Sequence, residues 1–207
     1  LDFSDMPIVS LAGLEKAVNL EYLYLVGTRV TDWSALASAK KLRSLLLDES
    51  PVSNLAPLKG HPTLRELSLE GTQVVQVPDL PWLTDLDLSE TPFSDLAQLG
   101  NLRELEELDL SGTRVVNLDK LVQFHRLHTL ELDGLSLESL AVIRKFKLKF
   151  LGLYQASIRN WEGFGQLPEL ETLVLGRSNF PGFSESMGMP ALEEISLRGC
   201  KLDALSN

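Results

Sequence analysis

Leucines recur along this chain in a fixed spacing, L-x-x-L-x-L-x-x-T-x-V-x-x-L-x-x-L, restarting at Leu20, Leu42, Leu64, Leu83, Leu105, Leu127, Leu148, Leu170 and Leu192. The intervals are 22, 22, 19, 22, 22, 21, 22 and 22 residues. A period in this range identifies a solenoid, in which each repeat stacks on its neighbours. With the first leucine of each repeat as position 0, positions 3 and 5 run from Leu23 and Leu25 to Ile195 and Leu197. This alternation has period two, so both side chains leave one face of a short strand. No hairpin partner lies nearby, and equivalent strands must therefore pair in parallel.

The rest of each repeat predicts the return path. Position 10 is apolar throughout, from Val30 to Leu202, and positions 13 and 16 are mostly apolar, as in Trp33/Leu36 and Leu118/Leu121. Three-residue spacing suits a 3₁₀ turn. Ser10, Asp32, Asn54, Asp95, Asn117, Ser139 and Asn160 stand just ahead of it at position 12 and are predicted to cap it. Pro62, Pro81, Pro168 and Pro190 stop the outer segment before the next strand. Position 8 is Thr28, Ser50, Thr72, Thr91, Thr113, Ser178 and Cys200, with Leu135 and Ala156 as exceptions. A hydroxyl there satisfies backbone groups in the turn leaving the sheet, and Cys200 is expected as a small buried thiol.

These blocks resemble the leucine-rich-repeat family, and within it the bacterial internalin-like class with 22-residue repeats. Internalin-type repeats usually carry Asn at position 8, where this chain has Thr or Ser. The resemblance implies an α/β solenoid: a horseshoe with a parallel concave β-sheet and short 3₁₀ or irregular outer segments. It implies binding of other proteins on the concave sheet and no chemistry. The expected organisation is a single leucine-rich-repeat domain over 1–207. Eight full repeats start at 20, 42, 64, 83, 105, 127, 148 and 170, with partial repeats 1–19 and 192–207. Leu1 and Phe3 fall on strand positions and Asn207 within an outer segment, so the chain reads as a fragment of a longer protein.

Charge changes the picture of partners. A net charge of −10 argues against nucleic acid and anionic membrane, and favours a protein with basic or mixed charge. No apolar run reaches the roughly 20 residues that span a bilayer, and no signal peptide is visible. A single cysteine permits no internal disulfide and leaves the compartment, cytoplasmic or secreted, undecided.

The charge is concentrated between the leucines. Positions 2, 4 and 6 should point out of the concave face, with 1 and 7 at its margins. In the five repeats from Leu42 to Leu127, twelve of those 25 positions are acidic: Asp48, Glu49, Glu66, Glu70, Asp85, Asp87, Glu90, Glu106, Glu107, Asp109, Glu131 and Asp133. Only Arg43 and Arg65 are basic there. Tyr22, Tyr24, Val26 and Leu46 flank this field on one side. Phe150, Tyr154, Val174, Arg177 and Arg198 flank it on the other. Exposed aromatics beside a charged field have the composition of binding hot spots.

The candidate partner-binding set is therefore Tyr22, Tyr24, Asp48, Glu66, Glu70, Asp85, Asp87, Glu107, Asp109, Glu131, Asp133, Phe150 and Tyr154. Reversal of Asp87, Asp109 and Glu131 to Lys is expected to abolish binding without unfolding. Simple solubilisation is the competing explanation of the charge. The alternative function is a regulatory or sensing repeat segment of a larger multidomain protein, contacting another domain of the same chain.

No catalytic residue, cofactor or metal is expected. A cation among Asp85, Asp87, Asp109 and Glu131 is conceivable, but no Ca²⁺-loop spacing occurs. His61, His125 and His128 match no zinc or nucleophile motif, and the last two read as surface polarity. Trp33, Trp82 and Trp161 read as outer-segment packing. Two irregularities stand out: the Leu64 repeat is three residues short, with Val74–Pro78 replacing the outer turn, and helix breakers occupy Pro181–Ser184.

Overall fold

The computed structural model describes residues 1–183 and 187–200. Position 10 at Leu202, Ser184 of the second irregularity and the last residues of the final repeat lie outside them. Eleven strands occur in the order β1 Tyr22–Tyr24, β2 Ser44–Leu46, β3 Glu66–Ser68, β4 Asp85–Asp87, β5 Glu107–Asp109, β6 Thr129–Glu131, β7 Ser136–Ser139, β8 Phe150–Gly152, β9 Ser157–Asn160, β10 Thr172–Val174 and β11 Glu194–Ser196. Nine of them form one parallel sheet, β1-β2-β3-β4-β5-β6-β8-β10-β11. Its register pairs position 3 with position 3, Leu23 with Leu45 and onward to Leu173 with Ile195. The solenoid with short outer 3₁₀ turns is therefore the observed fold.

The local chemistry of the repeat explains the coil. Position-3 and position-5 leucines from Leu23 to Leu175 are buried, together with position 10 from Val30 to Phe180. At position 8 the hydroxyls of Thr28, Ser50, Thr72, Thr91 and Thr113 each donate to the carbonyl three residues back, at 2.5–2.8 Å. That ladder closes the turn leaving the sheet without stranding a buried carbonyl or hydroxyl. Cys200 takes the last rung half-buried rather than buried, with Sγ 2.9 Å from Leu175 O. All seven position-12 side chains accept the backbone N–H two residues on, at 2.7–3.1 Å, and of them Asp95 is the N-cap of a 3₁₀ turn. Outer 3₁₀ turns follow at Leu14–Lys16, Ser34–Ser38, Ala56–Leu58, Leu96–Leu99, Asp119–Gln123 and Ile143–Lys145. The short Leu64 repeat has none, in keeping with its missing residues.

A second sheet, β7 with β9, lies on the outer side at positions 9–12. The leucine pattern did not predict it. Elsewhere, backbone donors at position 9 link neighbouring repeats on the outer side without forming strands. Arg29, Gln73 and Arg114 there donate to Ile8, Val52 and Phe93 carbonyls at 2.9–3.1 Å. Pro51 and Pro92 have no N–H to give, so the outer ladder breaks at every second repeat. Between the two outer strands Ser157 N donates to Leu135 O at 2.8 Å. The sheet ends where the Asn179 side chain takes both backbone groups of Ile158, at 2.9 Å each.

One expectation about large side chains needs correction, and one buried histidine was not anticipated. Trp33 is buried and Trp161 packs edge-on against Phe164 and Phe180 at 5.0 and 5.2 Å, but Trp82 is 48% exposed. The 19-residue repeat places it directly before Leu83, on the sheet margin rather than under an outer turn. His61 is buried in a column that elsewhere holds Ala39, Leu102, Phe124 and Leu167. Its Nε2 lies 2.9 Å from Ala39 O while Nδ1 has no partner, and burial lowers its pKa.

Candidate functional site

The parallel register sorts the open face of the sheet into columns. Position 2 runs Tyr22, Ser44, Glu66, Asp85, Glu107, Thr129, Phe150 and Thr172. Position 4 runs Tyr24, Leu46, Ser68, Asp87, Asp109, Glu131, Gly152 and Val174. At position 6 the carbonyls of Asp48, Glu70, Ser89, Ser111, Asp133 and Tyr154 each accept the position-7 N–H of the preceding repeat. All the acidic candidates thus fall on adjacent strands. The aromatics flank them at opposite ends: Tyr22 and Tyr24 on β1 stand six strands, about 29 Å at 4.8 Å per strand, from Phe150 on β8, which pairs with β6.

The carboxylates divide into two kinds. Asp87 and Asp109 each accept the backbone N–H two residues on, Ser89 and Ser111, at 2.7 Å. Asp48 accepts Glu70 N at 3.0 Å and the Ser68 hydroxyl at 2.5 Å, and Asp133 accepts Tyr154 N at 2.7 Å. These four aspartates satisfy strand-exit amides. Asp85 accepts from its neighbour Thr84 at 2.5 Å. Among the described residues Glu66, Glu70, Glu107 and Glu131 accept no hydrogen bond and meet no cation at ion-pair distance. The sequence concealed this division, because an Asp cap and an unpaired acid look alike until the register is known. It also changes the expected effect of reversing Asp87 and Asp109. Lysine at those positions removes two backbone caps, so fold and binding would be perturbed together.

Burial first, and neighbouring charge second, raises the proton affinity of several of these carboxyls. Glu131 is pushed up to about 7, first by desolvation and then by Asp109, Asp133, Asp87 and Glu107. Desolvation also leads the upward shifts of Glu107, whose next contributor is Asp85, and of Glu70, followed by Asp87 and Asp48. Asp48, Asp109 and Asp133 rise by desolvation too, despite hydrogen bonds that oppose it. An Asp87–Asp109–Glu131 row at sheet spacing is unfavourable unless something neutralises it.

The shape limits the chemistry. Glu66, Asp85, Asp87, Glu107, Asp109 and Glu131 surround an open depression of 290 Å³. That is the low end of small-molecule sites and open to water, so it suits a long side chain better than an enclosed reaction. Among the described residues no group of three or more His, Cys, Asp or Glu is arranged to hold a metal ion. At the far shoulder the Tyr154 ring lies against Gly176, where a Cβ would come within 2.9 Å, and Arg177 sits 5.9 Å from its centroid. No helix among the described residues is long and apolar enough to cross a membrane.

Comparison with known proteins finds the same coil. A leucine-rich-repeat protein of Leptospira interrogans superposes with a TM-score of 0.85 at 25% identity, covering 96% of this chain and 54% of that one. The chain thus spans about half the length of that protein. Internalin C2 of Listeria monocytogenes gives 0.68 at 21% identity, covering 95% of this chain and 79% of that one. The ectodomain of the Arabidopsis thaliana receptor kinase GASSHO1/SCHENGEN3, solved with CASPARIAN STRIP INTEGRITY FACTOR 2, gives 0.72 at 22% identity, covering 91% and 25%. No protein-family model and no curated protein matches the sequence.

Proposed function

We propose, on the premise of a leucine-rich-repeat fold of the internalin-like kind, that this chain is a non-enzymatic recognition module. It receives a polypeptide of basic or mixed charge on the concave face of its sheet. The carrying observation is the set of four glutamates, Glu66, Glu70, Glu107 and Glu131, that no backbone group or cation occupies. Solubility alone would be served by acids spread over the outer surface; here burial, and then repulsion from Asp109, Asp133, Asp87 and Glu107, raises Glu131 to about 7. A partner's ammonium or guanidinium groups relieve that repulsion, steer encounter and make association salt-sensitive. Tyr22, Tyr24, Phe150 and Tyr154 supply apolar contact at either end, and Asp48, Asp85, Asp87, Asp109 and Asp133 add to the field.

A second reading uses the same face. The chain spans 54% of the Leptospira protein and 25% of the receptor ectodomain. A regulatory or sensing repeat segment of a larger protein would there hold a basic surface of its own chain.

The test is selection of a displayed random-peptide library on the immobilised chain at low and high salt. Enrichment of Lys and Arg is expected, with binding weakened at high salt. It should be lost in the triple variant Glu66→Gln, Glu107→Gln, Glu131→Gln, whose melting temperature does not fall. Selection of neutral or acidic peptides, or unchanged affinity in the triple variant, overturns the reading.

A further inference from the structure

Strand starts carry a ladder of ion pairs along one margin of the sheet. Arg43 meets Glu21 at 3.4 Å, Arg126 meets Glu104 at 2.7 Å, Lys147 meets Glu169 at 2.7 Å and Lys149 meets Glu171 at 3.3 Å. The ladder stops at β3 and β4. There Arg65 meets no carboxylate at ion-pair distance among the described residues. Its guanidinium lies over the Trp82 indole, 5.3 Å from the centroid, and Nη1 donates to Trp82 O at 2.5 Å. Arg65 O in turn accepts Thr84 N and Asp85 N at 2.8 and 2.9 Å. Trp82, Arg65, Glu66 and Asp85 are therefore one patch, joined by backbone and stack.

This patch departs from the rest of the protein in a specific way. Trp82 is about half exposed, whereas Trp33 is buried and Trp161 sits in an aromatic cluster. Its orientation is held by Arg65, so little rotamer freedom remains to lose on binding. Beside it, Glu66, Asp85 and Glu107 occupy position 2 of three successive strands. An indole face next to unpaired carboxylates is complementary to a cation carried on an aliphatic stem.

We propose that the Trp82–Arg65 stack is the anchor at which a basic polypeptide segment enters the concave face. One Lys or Arg packs on the exposed indole, and its successors meet Glu66, Asp85 and Glu107. This rests on the recognition reading above and names the contact that fixes the partner's entry.

The probe is a ten-residue lysine peptide, titrated into the intact chain and followed by tryptophan emission and by calorimetry. The expected result is a saturable emission change in the wild type. Trp82→Ala should weaken binding at least fivefold at an unchanged melting temperature, and Trp82→Phe should restore affinity to within about twofold by keeping an aromatic face. Wild-type affinity in Trp82→Ala, with loss in Glu107→Gln/Glu131→Gln, overturns the anchor and leaves the recognition reading standing. Absence of binding by the wild type, or binding indifferent to both sets of changes, overturns the two together.

Discussion

Replacing Glu131 by Gln should stabilise this protein, and only above acidic pH. The carboxyl is raised from 4.5 to about 7, so between those values the folded chain binds a proton that the unfolded chain has released. Unfolding free energy must then fall as pH rises through that window, and the deficit is complete above about pH 7. At 1.36 kcal/mol per pH unit the unscreened ceiling is about 3.4 kcal/mol. Glu131 is only half-buried and faces an open depression, so solvent screening reduces this to roughly 1–1.5 kcal/mol. Glutamine keeps the shape and removes the charge facing Asp109, Asp133, Asp87 and Glu107. Urea unfolding followed by circular dichroism at pH 4.5, 6 and 8 measures the difference. The variant should match the wild type at pH 4.5 and exceed it at pH 8 by roughly 1 kcal/mol or more. A variant equally stable at pH 8, or more stable by the same amount at every pH, refutes the reasoning.

Other perturbations separate the remaining forces. Thr72→Val keeps shape and burial but removes the hydroxyl that donates to Leu69 O at 2.7 Å; a loss of about 1 kcal/mol in urea unfolding is expected, and a neutral change would deny the ladder a structural role. His61→Leu should help most in acid. Burial lowers the folded histidine's pKa below 6.5, so its neutral form is stabilising above that value and the stability is lost as pH falls. Ala39 O keeps its bond from Leu42 N at 2.9 Å, so thermal melts at pH 5 and 8 should show a larger gain for the variant at pH 5. Binding of the ten-lysine peptide near pH 6.5 should release protons from Glu131. Calorimetry in buffers of different ionisation enthalpy detects this, and an enthalpy independent of buffer would contradict it.

The sheet was legible from the leucines because its physics is repeated in every turn of the coil. A period-two pair must face one way, and nine such pairs at one interval leave parallel stacking as the arrangement that buries them all. The position-12 turns were legible for a related reason: an Asp, Asn or Ser that accepts the amide two residues on acts locally. What escaped was set by differences between neighbouring repeats. The β7–β9 sheet pairs the outer segments of two particular repeats, Ser136 with Ser157 and Leu137 with Ile158, which the shared leucine pattern does not single out. Trp82 depends on three residues missing from its repeat. His61 fills a position where apolar residues are usual, and only the packed column reveals it as buried.

The candidate site was legible in position and not in function, and the distinction turns on the carboxylates. Twelve acids looked like one field, yet Asp48, Asp87, Asp109 and Asp133 hold backbone amides that the strand exits would otherwise leave unpaired. Their presence needs no partner. Ser111 does the same work for Asp133 N at 3.1 Å, so a hydroxyl suffices and charge is not required. Glu66, Glu70, Glu107 and Glu131 have no such duty, and Glu107 joins Asp109, Asp133 and Asp87 in the repulsion that helps to lift Glu131. A residue that costs stability and supports no element of the fold is the kind that function retains. Changing the four aspartates to Asn should therefore leave the fold largely intact, since an amide oxygen still accepts the N–H, and should weaken binding less than changing the glutamates to Gln. If both sets altered binding equally at equal stability, the total charge and not its placement would be the recognised property.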